Sequence, residues 1–368
     1  MQRRAFLKKA GLGAVAGTAT IAAPAVAQPS PQINWKMTST YGPSVSPLFG
    51  AAQRFCTMVK DLTDGNFDIR LHPAGELVPA LGVMDAVSNR AVDCGQTVSS
   101  YYSDKDPSFC FDTAMPFGLN TRQMNAWMYQ GDGMKLMRAL FSPHNIVNFP
   151  FGNTGPQMGG WYRKEIKTVD DLKGLKMRTA GFAGEVLSRL GVVPQQLAPG
   201  DIYPALEKGT LDAVEFVGPV DDEKLGFQKV AKYYYYPGWW GGEGQVSLYV
   251  NDKAHAELPK SYQAVIEVAA RAAGAGVVED YDAHNPEALR RLLAGGAVLR
   301  MFPRDVMDAA FQASGVVYKE FSDKNAGFRS IYANYKAFRD NIVPWFRVAE
   351  NAFDNYLGAA VMRQSEKK

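Results

Sequence analysis

The chain has 368 residues and a formal net charge of +3, from 40 Lys+Arg against 37 Asp+Glu. Four of the basic residues, Arg3, Arg4, Lys8 and Lys9, stand at the extreme N-terminus; the remainder is about neutral, which argues against a nucleic-acid binder. The 46% hydrophobic and 21% charged content is that of an ordinary globular protein, and beyond the leader no segment is long and apolar enough to span a bilayer.

In chain order, Arg3-Arg4-Ala5-Phe6-Leu7-Lys8-Lys9 precedes an apolar, Ala-rich run from Ala10 to Ala23, then Ala25-Val26-Ala27. A charged n-region, a short h-region and a small-residue cleavage site make residues 1–27 a removable signal of the twin-arginine export type. The run is too short and too rich in Gly and Ala for a stable span. Cleavage after Ala27 leaves 341 residues, enough for two lobes around a cleft or one large domain. Gly11-Leu12-Gly13 with Gly17 echoes a dinucleotide loop, but no strand precedes it and it lies inside the h-region.

Ile33 to Thr38 alternates as a first strand, and Ser46-Pro47 opens a helix with Ser46 as N-cap and Pro47 at N1. Leu48, Ala52, Phe55, Val59 and Leu62 recur at helical spacing until Gly65, and Phe67 to Leu71 alternates as the next strand. Such β-α-β units predict a sheet with helices on its faces. Gly75 to Leu81 is echoed by Gly200 to Leu206, each copy leading through a short helix to a strand, near Val92-Asp93 and Leu211-Asp212. At face value, two similar lobes each turn a proline-started helix N-terminus toward a shared space, where free N–H groups suit an anion.

Three polar residues follow, separated by helical segments: Gln157 in Asn153-Thr154-Gly155-Pro156-Gln157-Met158-Gly159-Gly160-Trp161, Arg178 at the end of Leu175 to Arg178, and Glu215 in Leu211 to Phe216. An arginine grips a carboxylate with two parallel charge-assisted hydrogen bonds, a geometry lysine cannot match, so a small organic acid is the expected ligand. Taken alone, a strand-end arginine is as readily a surface residue. Ala183 to Leu190 reads as a helix closed by Gly191. The aromatic block Tyr233 to Trp240 reads either as a strand packed on both sides or as the wall of a cleft. Leu258 to Ala273 and Pro303 to Phe321 look helical. Lys336 to Leu357 carries an apolar stripe of Phe338, Ile342, Phe346, Ala349, Phe353 and Leu357, with Pro344 expected to kink it.

Cys56, Cys94 and Cys110 lack zinc-site spacing and read as buried free thiols. His72, His144, His255 and His284 are scattered and read as loop or surface residues. Asp170-Asp171 and Asp221-Asp222-Glu223 read as solvated charges at helix starts.

The leader, the Asn153 to Trp161 segment, Asp170 to Arg178, Pro194-Gln195-Gln196, Gly200 to Gly209 and Tyr234 to Trp240, in this order, resemble the extracytoplasmic solute receptors of tripartite ATP-independent periplasmic (TRAP) transporters, over essentially the whole mature chain. Within them the chain is most similar to the branch that binds 2-oxo acids such as pyruvate, or lactate. The resemblance implies an α/β, two-lobed periplasmic-binding-protein fold of type II-like form with a long C-terminal helix. It implies residues 28–155 as the first part of lobe I, 156–244 as the first part of lobe II, 245–330 as segments crossing between and completing both, and 331–368 as a C-terminal helical region. It further implies a periplasmic receptor that hands its acid to the small and large membrane subunits of a TRAP permease, and pairing of two copies through the C-terminal helix.

By the same resemblance Arg178 binds the ligand carboxylate, Gln157 touches ligand and metal, and Glu215 with the Phe216 carbonyl holds sodium or calcium. Asn153, Tyr101, Tyr102 and Phe216 join the substrate site. The chain departs from the branch at Phe216, where a close relative has Trp, and at Gly241, which replaces an acid after Gly-Trp-Trp and leaves Glu243, the nearest carboxylate, as the further metal ligand expected. Electrostatics points to a cation independently: a ligand carboxylate that takes Arg178 would leave a buried Glu215 unpaired, and oxygen-only donors suit a hard cation rather than zinc. An enzyme acting on oxo acids would need a nucleophile beside a base, and neither a G-x-S-x-G elbow nor a histidine near these motifs is present. A ligand sensor for a signalling partner would use the same pocket.

Overall fold

The computed structural model describes residues 31–365; the leader, with its expected cleavage site, lies outside the described residues. The strands are β1 (Ile33–Ser39), β2 (Phe67–His72), β3 (Cys94–Thr97), β4 (Ile146–Asn153), β5 (Trp161–Tyr162), β6 (Lys176–Arg178), β7 (Val193–Gln195), β8 (Ala213–Val214), β9 (Tyr233–Tyr236), β10 (Gln245–Asn251) and β11 (Val298–Met301). They form two sheets, of order β2-β1-β3-β10-β4 and β11-β9-β5-β8-β6-β7. This is the expected mixed α/β architecture with a long helical C-terminus.

In the first sheet β1 pairs in parallel with β2, Ile33 opposite Phe67, and with β3, Met37 opposite Cys94. The intervening Ser46–Leu62 helix covers the sheet with Phe55 and Val59, both fully buried. The chain then leaves after β4, builds most of the second sheet, and returns as β10, which inserts antiparallel between β3 and β4. In the second sheet β6 pairs in parallel with β8, so Arg178 lies opposite Val214.

Several local expectations change. Val45, not Ser46, is the N-cap of the first helix and makes no side-chain cap; the Ser46 hydroxyl instead receives Lys224 Nζ. Leu62, the last residue of that helix, is 57% exposed. The two echoing motifs both deliver a helix into a parallel strand, but their prolines differ: Pro79 precedes a short turn, whereas Pro204 sits inside the Pro199–Glu207 helix. The expected pair of equivalent proline-started helix ends is absent. The helix expected over 258–273 runs from Lys260–Ala294 with Pro286 inside it.

His72 is buried at the end of β2, with Nδ1 2.6 Å from Glu76 Oε1. Cys94 and Cys110 are buried and Cys56 half-buried, all three free. Burial pushes the Cys56 and Cys110 thiols up to about 12, which leaves them protonated and inert.

Asp170 and Asp171 are exposed at a turn that Asp171 caps, as expected. Asp221 and Asp222 are the opposite of solvated, because they fall on the inner face of the Pro219–Leu225 helix. Asp222 Oδ2 accepts from Trp161 Nε1 at 3.0 Å and the Tyr234 hydroxyl at 2.7 Å, while Asp221 Oδ2 accepts from the Tyr281 hydroxyl at 2.5 Å. Burial pushes Asp221 up to about 7 and Asp222 up to about 8. Raised folded values mean that, as pH climbs above the ordinary carboxylate range, the unfolded chain releases these protons before the folded one does. Stability is therefore fully present below about pH 4, the ordinary carboxylate value, and falls as pH approaches 7 to 8. We expect Asp222→Asn, which keeps an acceptor for Trp161 and Tyr234, to shrink the stability difference between pH 5 and pH 8 by roughly 3 to 4 kcal/mol in urea unfolding. An unchanged difference would mean that Asp222 is ionised in the folded protein.

The C-terminal helices are Arg304–Lys324, Ala326–Phe346 and Ala352–Ser365, the last two joined by a π-helical turn, Arg347–Asn351. The irregular turn follows Pro344, which cannot donate within the helix. It divides the predicted stripe: Phe338, Ile342 and Phe346 pack inward, while Phe353 and Leu357 are 64% and 47% exposed. Among the described residues no helix is long and apolar enough to cross a membrane.

Candidate functional site

Arg178 closes β6 and is 2% exposed. Its Nη1 donates to the Glu215 carbonyl oxygen at 2.7 Å and to Glu215 Oε1 at 3.0 Å, its Nη2 to the Tyr101 hydroxyl at 3.3 Å, and its Nε to the Leu197 carbonyl at 3.4 Å. The Phe216 ring centroid lies 5.4 Å from the guanidinium carbon. Glu215 follows β8, the neighbour of β6, so two adjacent strand ends deliver the pair together. Its Oε1 also accepts the Ala180 N–H at 3.1 Å. Burial pushes the Glu215 carboxyl up, and the Arg178 charge opposes that shift. Arg178 and Glu215 thus pair directly, so a ligand carboxylate that takes the guanidinium would compete with Glu215 for it.

Beside this pair lies a cavity of about 70 Å³, lined among others by Tyr101, Gln157, Arg178, Glu215 and Phe216. Arg178 and Glu215 are the only charged residues among those lining it. The volume suits a ligand of a few heavy atoms, far smaller than a drug-sized pocket.

Gln157 reaches the cavity because the chain passes very close to the second sheet. Gly160 has φ +80°, and a Cβ there would lie 2.2 Å from the Val214 carbonyl oxygen, so glycine alone permits the approach. The Met158 N–H then donates to the Val217 carbonyl at 3.0 Å and the Gln157 N–H to that of Gly241 at 3.2 Å. A Cβ on Gly241 would stand 2.7 Å from the Glu243 carbonyl and 3.1 Å from Gln157 Oε1. The acid expected at that position would crowd the amide.

Three expected site residues do not line the cavity. Tyr102 is turned away, its hydroxyl taking the Met84 N–H at 3.1 Å and lying 3.2 Å from Thr97 Oγ1. Asn153 and Glu243 form a buried pair behind the wall: Asn153 Nδ2 donates to Glu243 Oε2 at 2.5 Å, while Asn153 Oδ1 accepts from Thr121 Oγ1 and the Gly155 N–H. Burial pushes the Glu243 carboxyl well up.

Other lining residues are not apparent in the sequence reading. Tyr41, Ser100, Thr113 and Thr154 line the cavity. Tyr41 had a signal: it lies just past the C-terminal end of β1, where ligands collect in α/β sheets. The aromatic block divides between both readings, with Tyr234 and Tyr235 buried in the core and Trp240 in the cavity wall.

The donors fit a hard cation. Gln157 contributes an amide oxygen, Glu215 a carboxylate and Phe216 a backbone carbonyl, all on residues lining one cavity. No cluster of three or more His, Cys, Asp or Glu residues that could hold a metal occurs among the described residues. A cation here would thus depend on neutral oxygens, one carboxylate and the ligand's own atoms.

Comparison with known proteins gives a consistent set of relatives. The family of bacterial extracellular solute-binding proteins, family 7 (DctP), matches residues 38–325. A monocarboxylate 2-oxoacid-binding periplasmic protein of Nostoc sp. is 44% identical over 365 residues, 98% of this chain and 100% of the relative. The crystal structure of a TRAP transporter solute-binding protein from Bordetella bronchiseptica RB50, a mixed-occupancy dimer with copurified calcium and picolinate, is 52% identical with a TM-score of 0.90, covering 91% of this chain and 100% of that one. A TRAP periplasmic solute-binding protein from Pseudoalteromonas atlantica T6c, with bound sodium and pyruvate, is 37% identical with a TM-score of 0.85, covering 88% and 98%.

Proposed function

This chain belongs to the DctP family, bacterial extracellular solute-binding proteins of family 7, and from that premise we propose that it is a TRAP receptor for a small 2-oxo monocarboxylate bound together with sodium or calcium. As a solute-binding protein of transport it is not an enzyme. The observation that carries the reading is a buried Arg178–Glu215 pair, the only charges among the described residues that line one small cavity.

Arg178 takes the ligand carboxylate. Gln157 Oε1, the Glu215 carboxylate and the Phe216 carbonyl hold the cation, and the Tyr101 hydroxyl meets the ligand's second polar atom. Asn153, Tyr102 and Glu243 support the wall from behind. Pyruvate in one relative and picolinate in another share a feature: each has a donor atom, an oxo oxygen or a ring nitrogen, on the carbon next to its carboxylate. That arrangement closes a five-membered chelate on a cation, and we take it as the recognised chemistry. The two sheets serve as the cores of lobes I and II, divided at the boundaries given above. The leader delivers the receptor to the periplasm, where it meets the permease's small and large membrane subunits.

Calorimetry with calcium present tests the ligand class. Pyruvate and picolinate should bind at least tenfold more tightly than acetate and nicotinate, which lack the neighbouring donor. Equal affinity for acetate and pyruvate would overturn the chelate reading, and mass spectrometry of ligand released from purified protein would identify the resident acid.

The C-terminal helix supports a second partner. Phe353, Tyr356, Leu357, Val361 and Met362 are exposed on it, with Trp345 exposed near the end of the preceding helix, and a run of large apolar side chains in water favours cover. A second copy of the chain is the occupant we propose. Light scattering at micromolar concentration should give a dimer mass, reduced to a monomer by Phe353→Asp with Leu357→Asp; a monomeric wild type would sink the idea.

A further inference from the structure

We propose that Asp112 is a positioning residue for the ligand cavity, holding in place the wall that carries Ser100, Tyr101 and Thr113. The inference rests on the assignment of that cavity as the ligand site. Asp112 is completely buried and does not line the cavity. Its Oδ2 accepts from Ser99 Oγ at 2.5 Å and Ser247 Oγ at 2.6 Å, and its Oδ1 from Asn148 Nδ2 at 3.3 Å and Gln245 Nε2 at 3.2 Å. Four donors from β4, β10 and the turn after β3 thus converge on one carboxylate, and no cation forms an ion pair with it among the described residues.

Two of the donors, Ser99 and Gln245, tie pieces of the wall. Ser99 begins the turn Ser99–Tyr102 that presents Ser100 and Tyr101 to the cavity. The next residue after Asp112, Thr113, lines the cavity itself, and its Oγ1 accepts the Ser100 N–H at 3.0 Å. The Gln245 N–H donates to the Thr113 carbonyl at 3.0 Å, and its side-chain amide to the Asp112 carbonyl at 3.1 Å. Tyr101 in turn bears on the carboxylate-binding end of the site, because its hydroxyl accepts from Arg178. A buried carboxylate that fixes residues touching the ligand acts as an outer support does at metal sites, where its removal typically costs 10 to 100-fold in affinity. Burial raises Asp112 to about 6, with the Ser247 and Ser99 bonds opposing.

The test separates positioning from bulk stability by measuring the dissociation constant for pyruvate with calcium well below the melting temperature of each variant. Asp112→Asn should weaken binding about tenfold. Ser99→Ala, which cuts the tie to the Tyr101 turn, should weaken it severalfold, whereas Ser247→Ala, whose residue adjoins no cavity wall, should lower the melting temperature and leave affinity unchanged. If Asp112→Asn does not fold, the contrast between the two serine variants decides the matter. Unchanged affinity in Ser99→Ala and in folded Asp112→Asn, or equal losses in both serine variants, would overturn the inference. Wild type that binds no pyruvate would instead overturn the ligand assignment on which it rests.

Discussion

Arg178→Lys is expected to lower affinity for pyruvate about 30-fold or more while the protein still folds. The guanidinium donates in four directions at once, to Glu215 twice, to Tyr101 and to Leu197, and a ligand carboxylate must be added to that arrangement. An ammonium keeps the charge but offers one point rather than a planar fork. Losing the fork at a buried site costs roughly 2 kcal/mol or more, the range for hydrogen bonds to charged groups. Some loss of stability will accompany it, so binding must be measured on folded protein by calorimetry. Unchanged affinity would remove Arg178 from the site.

The second large effect is mutual dependence of acid and cation. Without ligand, Arg178 and Glu215 are paired and the cavity lining sums to zero formal charge. A monocarboxylate then brings a second anion to a single guanidinium, in a place too dry to tolerate the excess. Sodium restores neutrality, and calcium goes one charge beyond. Each should therefore raise the other's affinity by the same factor, a coupling of about 1 to 3 kcal/mol. Titrating pyruvate into metal-stripped protein, with and without sodium or calcium, measures it directly. Glu215→Gln should abolish the coupling and keep some cation-independent acid binding through Arg178. Identical affinities in all three conditions for wild type would mean that Gln157, Glu215 and Phe216 hold no cation.

Much of the fold and part of the site could be read in one dimension. Strands β1 and β2 and the first helix announce themselves by alternation and helical spacing, because each buries one face against a neighbour close in sequence. Arg178 and Glu215 stand at strand ends and Gln157 in the loop between β4 and β5, all within recognisable motifs, and the fold brings all three to one cavity. What escaped is burial set by distant partners. Asp221 and Asp222 look like solvated helix-start charges until Tyr281, Trp161 and Tyr234 close over them. Asp112 has no motif at all, since its four donors come from residues 99, 148, 245 and 247. Tyr102 and Tyr101 are neighbours in sequence, yet only one faces the cavity, a choice made by the local turn and not by residue type.

The return of the chain as β10 has a consequence for how the protein acquires its structure. Because β10 separates β3 from β4, the first sheet cannot be completed until residues 245–251 exist and the intervening hundred or so have been threaded through the second sheet. Closing so long a loop carries an entropic cost that is met before the β10 contacts form, and contacts of high sequence separation slow the search. A fragment ending near residue 160 would therefore have an open gap where β10 belongs, with unpaired edges on β3 and β4 prone to self-association. The two sheets should appear together late in refolding, as one cooperative event rather than as two independent domains.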